Sequence, residues 1–87
     1  MKRIYTYRGF EIAVELEPVW KASGNVTLLP PRGFITVVQI KMIGASRPTV
    51  APIRLIADNH RPFATEAEAL MAGFSAGQRV VDDTLAP

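Results

Sequence analysis

The chain has 87 residues, 48% of them hydrophobic and 21% charged, which is the size and make-up of one ordinary globular domain spanning residues 1–87. It has no cysteine, which excludes a disulfide framework, a thiolate nucleophile and any cysteine-ligated zinc, and makes the cytosol the default compartment. No run approaches the roughly 20 apolar residues of a membrane span, and the opening MKRIYTYRGFEIAVELEP alternates where a signal peptide would be continuously apolar, so no membrane partner is expected.

The net charge of +2 is unevenly spread. Lys21, Arg32, Lys41, Arg47, Arg54 and Arg61 face Asp58 alone in the middle of the chain, whereas Arg79 stands against Glu66, Glu68, Asp82 and Asp83 near the end. The basic middle is the compositional hint of an anionic partner; charges scattered for solubility are the plainer reading.

KRIYTY and FEIAVELEP read as two strands of a hairpin. In the second, Phe10, Ile12, Val14 and Leu16 share one face, and Glu11, Ala13, Glu15 and Glu17 the other. A two-residue loop would force positive φ on Arg8. A three-residue loop of Tyr7, Arg8 and Gly9, with the glycine left-handed in a bulge, avoids this and predicts Thr6 opposite Phe10 and Ile4 opposite Ile12. Ile4 then joins the core, and Tyr5 and Tyr7 lie on the outer face.

Beyond Pro18 the pattern weakens, with turns at Ser23–Asn25 and Pro30–Gly33 and short extended pieces around Trp20 and Val26–Leu29. FITVVQIKM is the strongest strand by propensity, with Phe34, Thr36, Val38, Ile40 and Met42 facing the core. IGASRPTVAP, residues 43–52, reads as a long loop, and IRLIA, residues 53–57, as a short edge strand, since Pro52 cannot donate to a ladder.

DNHRP turns the chain into its helix. Thr65 with Glu68 makes a capping box, and the helix runs from Glu66 to about Asp83. At about 100° per residue, Ala67, Leu70, Phe74, Gly77 and Val81 form the predicted sheet-facing stripe, with Met71 and Gln78 on one flank. The other flank, Ala69, Ala72, Gly73, Ala76 and Val80, is small or apolar. Either the twisted sheet or the loop at 44–52 covers it, or it is a partner face, most simply for a second copy in a two-fold homodimer.

Residue types that carry catalysis do not converge. His60, the lone histidine, has Asp58 nearby as an orienting carboxylate, but an exposed turn residue is the plainer reading. No metal spacing, nucleophile elbow or phosphate-binding glycine loop occurs, so neither enzyme chemistry nor a cofactor is expected. Trp20, Lys21, Arg32, Arg47, Arg54, His60 and Arg61 combine cations with a stacking ring and form the candidate surface for weak nucleic-acid binding.

YRGFEI near the start and FATEAEALMAGFSAGQRVVDD near the end resemble a loose set of small uncharacterised bacterial α+β proteins. These open with a Y-x-G-aromatic-x-I hairpin and close with an F-x-T-x-x-E-A helix. The likeness covers about a third of the chain and implies a fold but no activity. A weaker similarity is to the HicB-like antitoxin domain, although the Pro-Asp-x-x-Gly loop of that family is missing before the helix. The expected fold is a two-layer α+β domain, an antiparallel sheet of four or five strands with one C-terminal helix packed on one face. The expected function is a small cytoplasmic non-enzymatic interaction module with a protein partner or a second copy. The alternative is a weak nucleic-acid-binding, antitoxin-like regulator.

Overall fold

A computed structural model describes residues 1–20, 32–57 and 61–86. The extended pieces expected at Val26–Leu29, the Ser23–Asn25 turn, Pro30, Pro31 and the turn at Asp58–His60 lie outside the described residues.

β1 (Lys2–Tyr7), β2 (Phe10–Val19), β3 (Gly33–Met42) and β4 (Ile53–Leu55) form one antiparallel sheet in the order β1-β2-β3-β4, and α1 (Glu66–Leu85) crosses one of its faces. This is the expected two-layer α+β fold, with four strands among the described residues. The period-two alternation of β2 and β3 builds the core, because Phe10, Ile12, Val14 and Leu16 lie buried beside Thr36, Val38 and Ile40. Ile12 sits opposite Ile40, Val14 opposite Val38, and Leu16 opposite Thr36.

The hairpin register differs by one residue from the expected one. Tyr7 pairs with Phe10 and Tyr5 with Ile12, around a two-residue turn in which Arg8 has φ 50° and Gly9 φ 85°. Both central residues are left-handed, as a type I′ turn requires. Arg8 accepts a conformation that costs a non-glycine residue about 1–3 kcal/mol, and contacts from the helix offset it. The Tyr5 ring lies 4.5 Å from that of Phe74 between centroids. The Tyr7 hydroxyl and an Arg8 guanidinium nitrogen donate to Asp82 Oδ1 at 2.9 and 2.8 Å. All three follow from turning the tyrosines toward α1. The same shift moves Ile4 out of the core to the uncovered face, where it is 59% exposed.

Met42 also departs from expectation. It lies on the helix side at the end of β3 and is 56% exposed. The loop after β3 does not wrap round the helix. The Thr49 amide donates to the Ile40 carbonyl at 2.7 Å, holding the segment along the edge of β3 until β4 begins.

The helix starts as read. Thr65 is extended, and its hydroxyl accepts from the Glu68 amide at 3.1 Å, with Glu66 and Glu68 in the positive first turn. The buried seam is Ala69, Gly73, Gly77 and Val81, spaced by four residues. Its centre is rotated about 60° from the expected stripe at 100° per residue. Ala67 is therefore exposed, and Leu70 and Phe74 lie half-buried to the side.

The absence of side chains at the glycines lets α1 approach the sheet. A Cβ on Gly73 would lie 2.6 Å from Val14 Cγ1 and 2.7 Å from Thr36 Cγ2, and one on Gly77 would lie 2.5 Å from Ile12 Cγ2. Thr36, wholly buried, donates its hydroxyl to the Ala69 carbonyl at 2.9 Å, satisfying the one buried polar side chain under the seam.

Candidate functional site

The face of the sheet opposite α1 carries Lys2, Ile4 and Thr6 from β1, then Glu11, Ala13, Glu15 and Glu17 from β2, and Ile35, Val37, Gln39 and Lys41 from β3. Among the described residues no secondary-structure element covers it. Two charge pairs lie across it. Lys41 Nζ is 3.6 Å from Glu11 Oε2. Arg54 meets both oxygens of Glu17 at 2.9 and 2.8 Å, so the guanidinium holds that carboxyl below its usual range.

Beside the Lys41–Glu11 pair, which helps to line it, lies a groove of about 220 Å³ formed by Lys2, Ile4, Ala13 and Gln39 and walled by Ser46 and Pro48 of the loop after β3. The volume is below the roughly 300–1,000 Å³ of small-molecule sites and suits one or two side chains of a partner. Sequence reading missed this groove because it placed Ile4 in the core. The signal lay in RG at positions 8 and 9, which also permits the shorter turn.

The structure separates the residues of the expected basic surface. Lys21 and His60 lie outside the described residues. Arg54 is engaged by Glu17. Arg47 lies in the loop beyond the far end of β3, roughly 30 Å from Arg32 at a rise of about 3.3 Å per residue. One cluster survives. Trp20, 50% exposed, follows Val19, whose carbonyl accepts from the Arg32 amide at 2.6 Å. Arg61, also exposed, stands two residues before Phe63, which bridges to Phe34 at the same end of β3.

Of the small-residue flank, Ala69 and Gly73 are buried against the sheet, and Ala72, Ala76 and Val80 are half-buried. The five residues do not form one open surface, because Ala69 and Gly73 belong to the contact, together with Gly77 and Val81 of the expected stripe.

The only ion pair that ties α1 to the hairpin among the described residues is Arg8–Asp82, joined by the Tyr7 hydroxyl. Arg8, then Tyr7, holds the Asp82 carboxyl below its ordinary value, and the hydrogen bond to Asp82 pushes the Tyr7 hydroxyl up. Both groups move away from neutrality, the opposite of a poised acid and base. The arrangement is a clasp with a definite pH signature. Asp82 contributes stability that is present above the ordinary carboxylate pKa and lost as pH falls through its lowered folded value. Tyr7 contributes stability that is present below the ordinary phenol value and lost as pH rises through its raised one. Asp82→Asn is therefore expected to flatten the urea-midpoint profile at both extremes while leaving its neutral plateau shape unchanged. A profile parallel to that of the wild type at both extremes would show that the clasp is absent in solution.

Among the described residues no three histidine, aspartate or glutamate side chains gather as a metal site, and no helix is long and apolar enough to cross a membrane. Comparison of the chain with family models, with curated proteins and with solved structures gives no match.

Proposed function

We propose that the chain is a small non-enzymatic interaction module of the cytosol that receives an extended segment of a protein partner on the uncovered face of its sheet. The observation that supports this most directly is the placement of Ile4. A large apolar side chain stands 59% exposed on an edge strand, beside a groove sized for side chains rather than for a small molecule. The flanking Lys2, Glu11 and Lys41 give the groove a polar rim with both signs of charge, the usual composition of a protein contact. A chain without cysteine loses nothing in a reducing compartment.

The test is a display selection of random peptides against the immobilised protein. Selected peptides are expected to lose at least about tenfold in affinity with Ile4→Glu and to be indifferent to Met71→Glu on the outer side of α1. Peptides that bind equally well to both variants, or a selection without binders, would remove the reading.

A second reading, weak nucleic-acid binding, is supported by Trp20, Arg32 and Arg61 at one end of β3. With the two arginines of this cluster, its log K against log salt should have a slope of roughly −1 to −2. Titrating Trp20 fluorescence with single- and double-stranded oligonucleotides at two salt concentrations tests it independently of the peptide selection.

A further inference from the structure

We propose that β1 pairs through its outer edge with β1 of a second copy of this chain, antiparallel and centred on Ile4, joining two four-stranded sheets into one of eight. This rests on reading the β1 side of the sheet as the contact surface and names an occupant for it.

The backbone supplies the first argument. In the sheet order β1 is terminal, bonded only to β2 among the described residues. The two-residue turn makes Tyr7 and Phe10 a hydrogen-bonded pair, and antiparallel pairs alternate between bonded and non-bonded. Tyr7, Tyr5 and Arg3 therefore spend their amides and carbonyls on β2, in phase with Met1, whose carbonyl accepts from the Leu16 amide at 2.9 Å. Lys2, Ile4 and Thr6 direct theirs outward. Among the described residues the edge carries no proline or bulge, and its two cations, Lys2 and Arg3, stand at one end rather than at Ile4.

Two conditions fix the parity of the register, and charge then selects within it. Side chains directly opposite one another in an antiparallel pair share a face, so even-numbered residues must oppose even-numbered ones for both helices to stay on one side. The outward backbone groups belong to Lys2, Ile4 and Thr6, which imposes the same parity. Centring the pair on Ile4 satisfies both. It sets Ile4 against Ile4 of the second copy and Lys2 against Thr6 twice, giving roughly six inter-chain hydrogen bonds. Centring it on Arg3 would oppose two arginines, and centring it on Tyr5 would set Lys2 against Arg8.

Charge complementarity singles out the same register. On the uncovered face Lys2 already lies beside Glu15 of its own chain. In the pair it faces Thr6 of the second copy, whose next neighbour across the sheet is Glu11. Each lysine then has Glu15 of its own chain one strand away and, two strands away, Glu11 of the second copy, which Lys41 also approaches. On the helix face the exposed Arg3 meets Tyr5 of the second copy, a ring held in place by Phe74 and suited to a guanidinium on its face.

Sedimentation velocity on the intact chain from micromolar to millimolar concentration, together with amide hydrogen exchange, tests the proposal. The expected result is a reversible dimer whose formation slows exchange at Ile4 and Thr6. Ile4→Lys, which sets like charges at the two-fold axis and leaves the pairing with β2 intact, is expected to weaken it about tenfold or more. Circular dichroism establishes that the variant is folded. If it is not, exchange at Ile4 and Thr6 of the wild type as a function of concentration decides alone. A monomer at every concentration overturns the proposal, as does a dimer in which these two amides stay unprotected. Either result leaves the interaction reading to the peptide selection, which is carried out at concentrations where the chain is monomeric.

Discussion

Gly73→Leu is expected to abolish the folded state, and Gly73→Ala to lower stability by up to about 2 kcal/mol even though alanine is the better helix former. Replacing a helical glycine by alanine ordinarily gains about 1 kcal/mol. Here the added carbon would lie 2.6 Å from Val14 and 2.7 Å from Thr36, and neither can withdraw easily. Val14 is wholly buried in the middle of β2, and the Thr36 hydroxyl is bound to the Ala69 carbonyl. Overpacking a core costs about 1–3 kcal/mol and occasionally more, enough to reverse the helix gain. Leucine adds three further carbons to a gap that does not accept the first. Its cost therefore approaches the whole stability of a domain this size, about 4–13 kcal/mol at 0.05–0.15 kcal/mol per residue. Urea denaturation of Gly73→Ala and circular dichroism of Gly73→Leu check both. Leucine at the exposed Ala67 is the control and should change stability by less than about 0.5 kcal/mol. A folded Gly73→Leu with an unchanged midpoint would show that a different face of α1 meets the sheet.

Ile12→Ala is expected to cost about 4–5 kcal/mol, the upper part of the range for such truncations. Ile12 is wholly buried and lies beneath Gly77, where a Cβ would be 2.5 Å from its Cγ2. Truncation opens a cavity whose roof is a glycine, so the helix has no side chain at that position to fill it. The same geometry predicts a reversal of sign. Gly77→Ala should destabilise the wild type by overpacking, yet stabilise the Ile12→Ala protein, because its methyl group then enters the vacated space. A coupling of about 1–3 kcal/mol from a urea double-mutant cycle is the expected reading for residues in direct contact. Additive effects would mean that the helix does not rest on Ile12.

Strand positions and the helix start were legible because each depends on local chemistry. The alternation of Phe10, Ile12, Val14 and Leu16 requires one buried face whatever lies above it, and Thr65 caps the helix through an amide three residues away. The hairpin register was not legible, since the turn choice depends on residues far along the chain. Arg8 is a poor left-handed residue when considered alone, and becomes acceptable because Asp82, 74 residues later, accepts from it, and Phe74 receives Tyr5. The helix face was misread for a related reason. Hydrophobic patterning points the largest side chains at the core, but Val14, Ile12 and Thr36 already fill the space above the sheet, so the helix contributes its smallest residues. The candidate groove depends on the hairpin register, because Ile4 reaches the uncovered face only once Tyr5 and Tyr7 have turned to the helix.

The four strands among the described residues all precede α1 in the chain. A ribosome adds about 5–20 residues per second, so the 20 residues of α1 take about 1–4 s to synthesise after the last strand and its linker. During that interval the inner face, with Phe10, Ile12, Val14 and Leu16, has no cover from its own helix. Gly73 and Gly77 each lower the helix propensity of α1 by about 1 kcal/mol, so packing on the sheet contributes to holding the helix. Slowing translation after β4 should lengthen that exposure and lower the soluble yield.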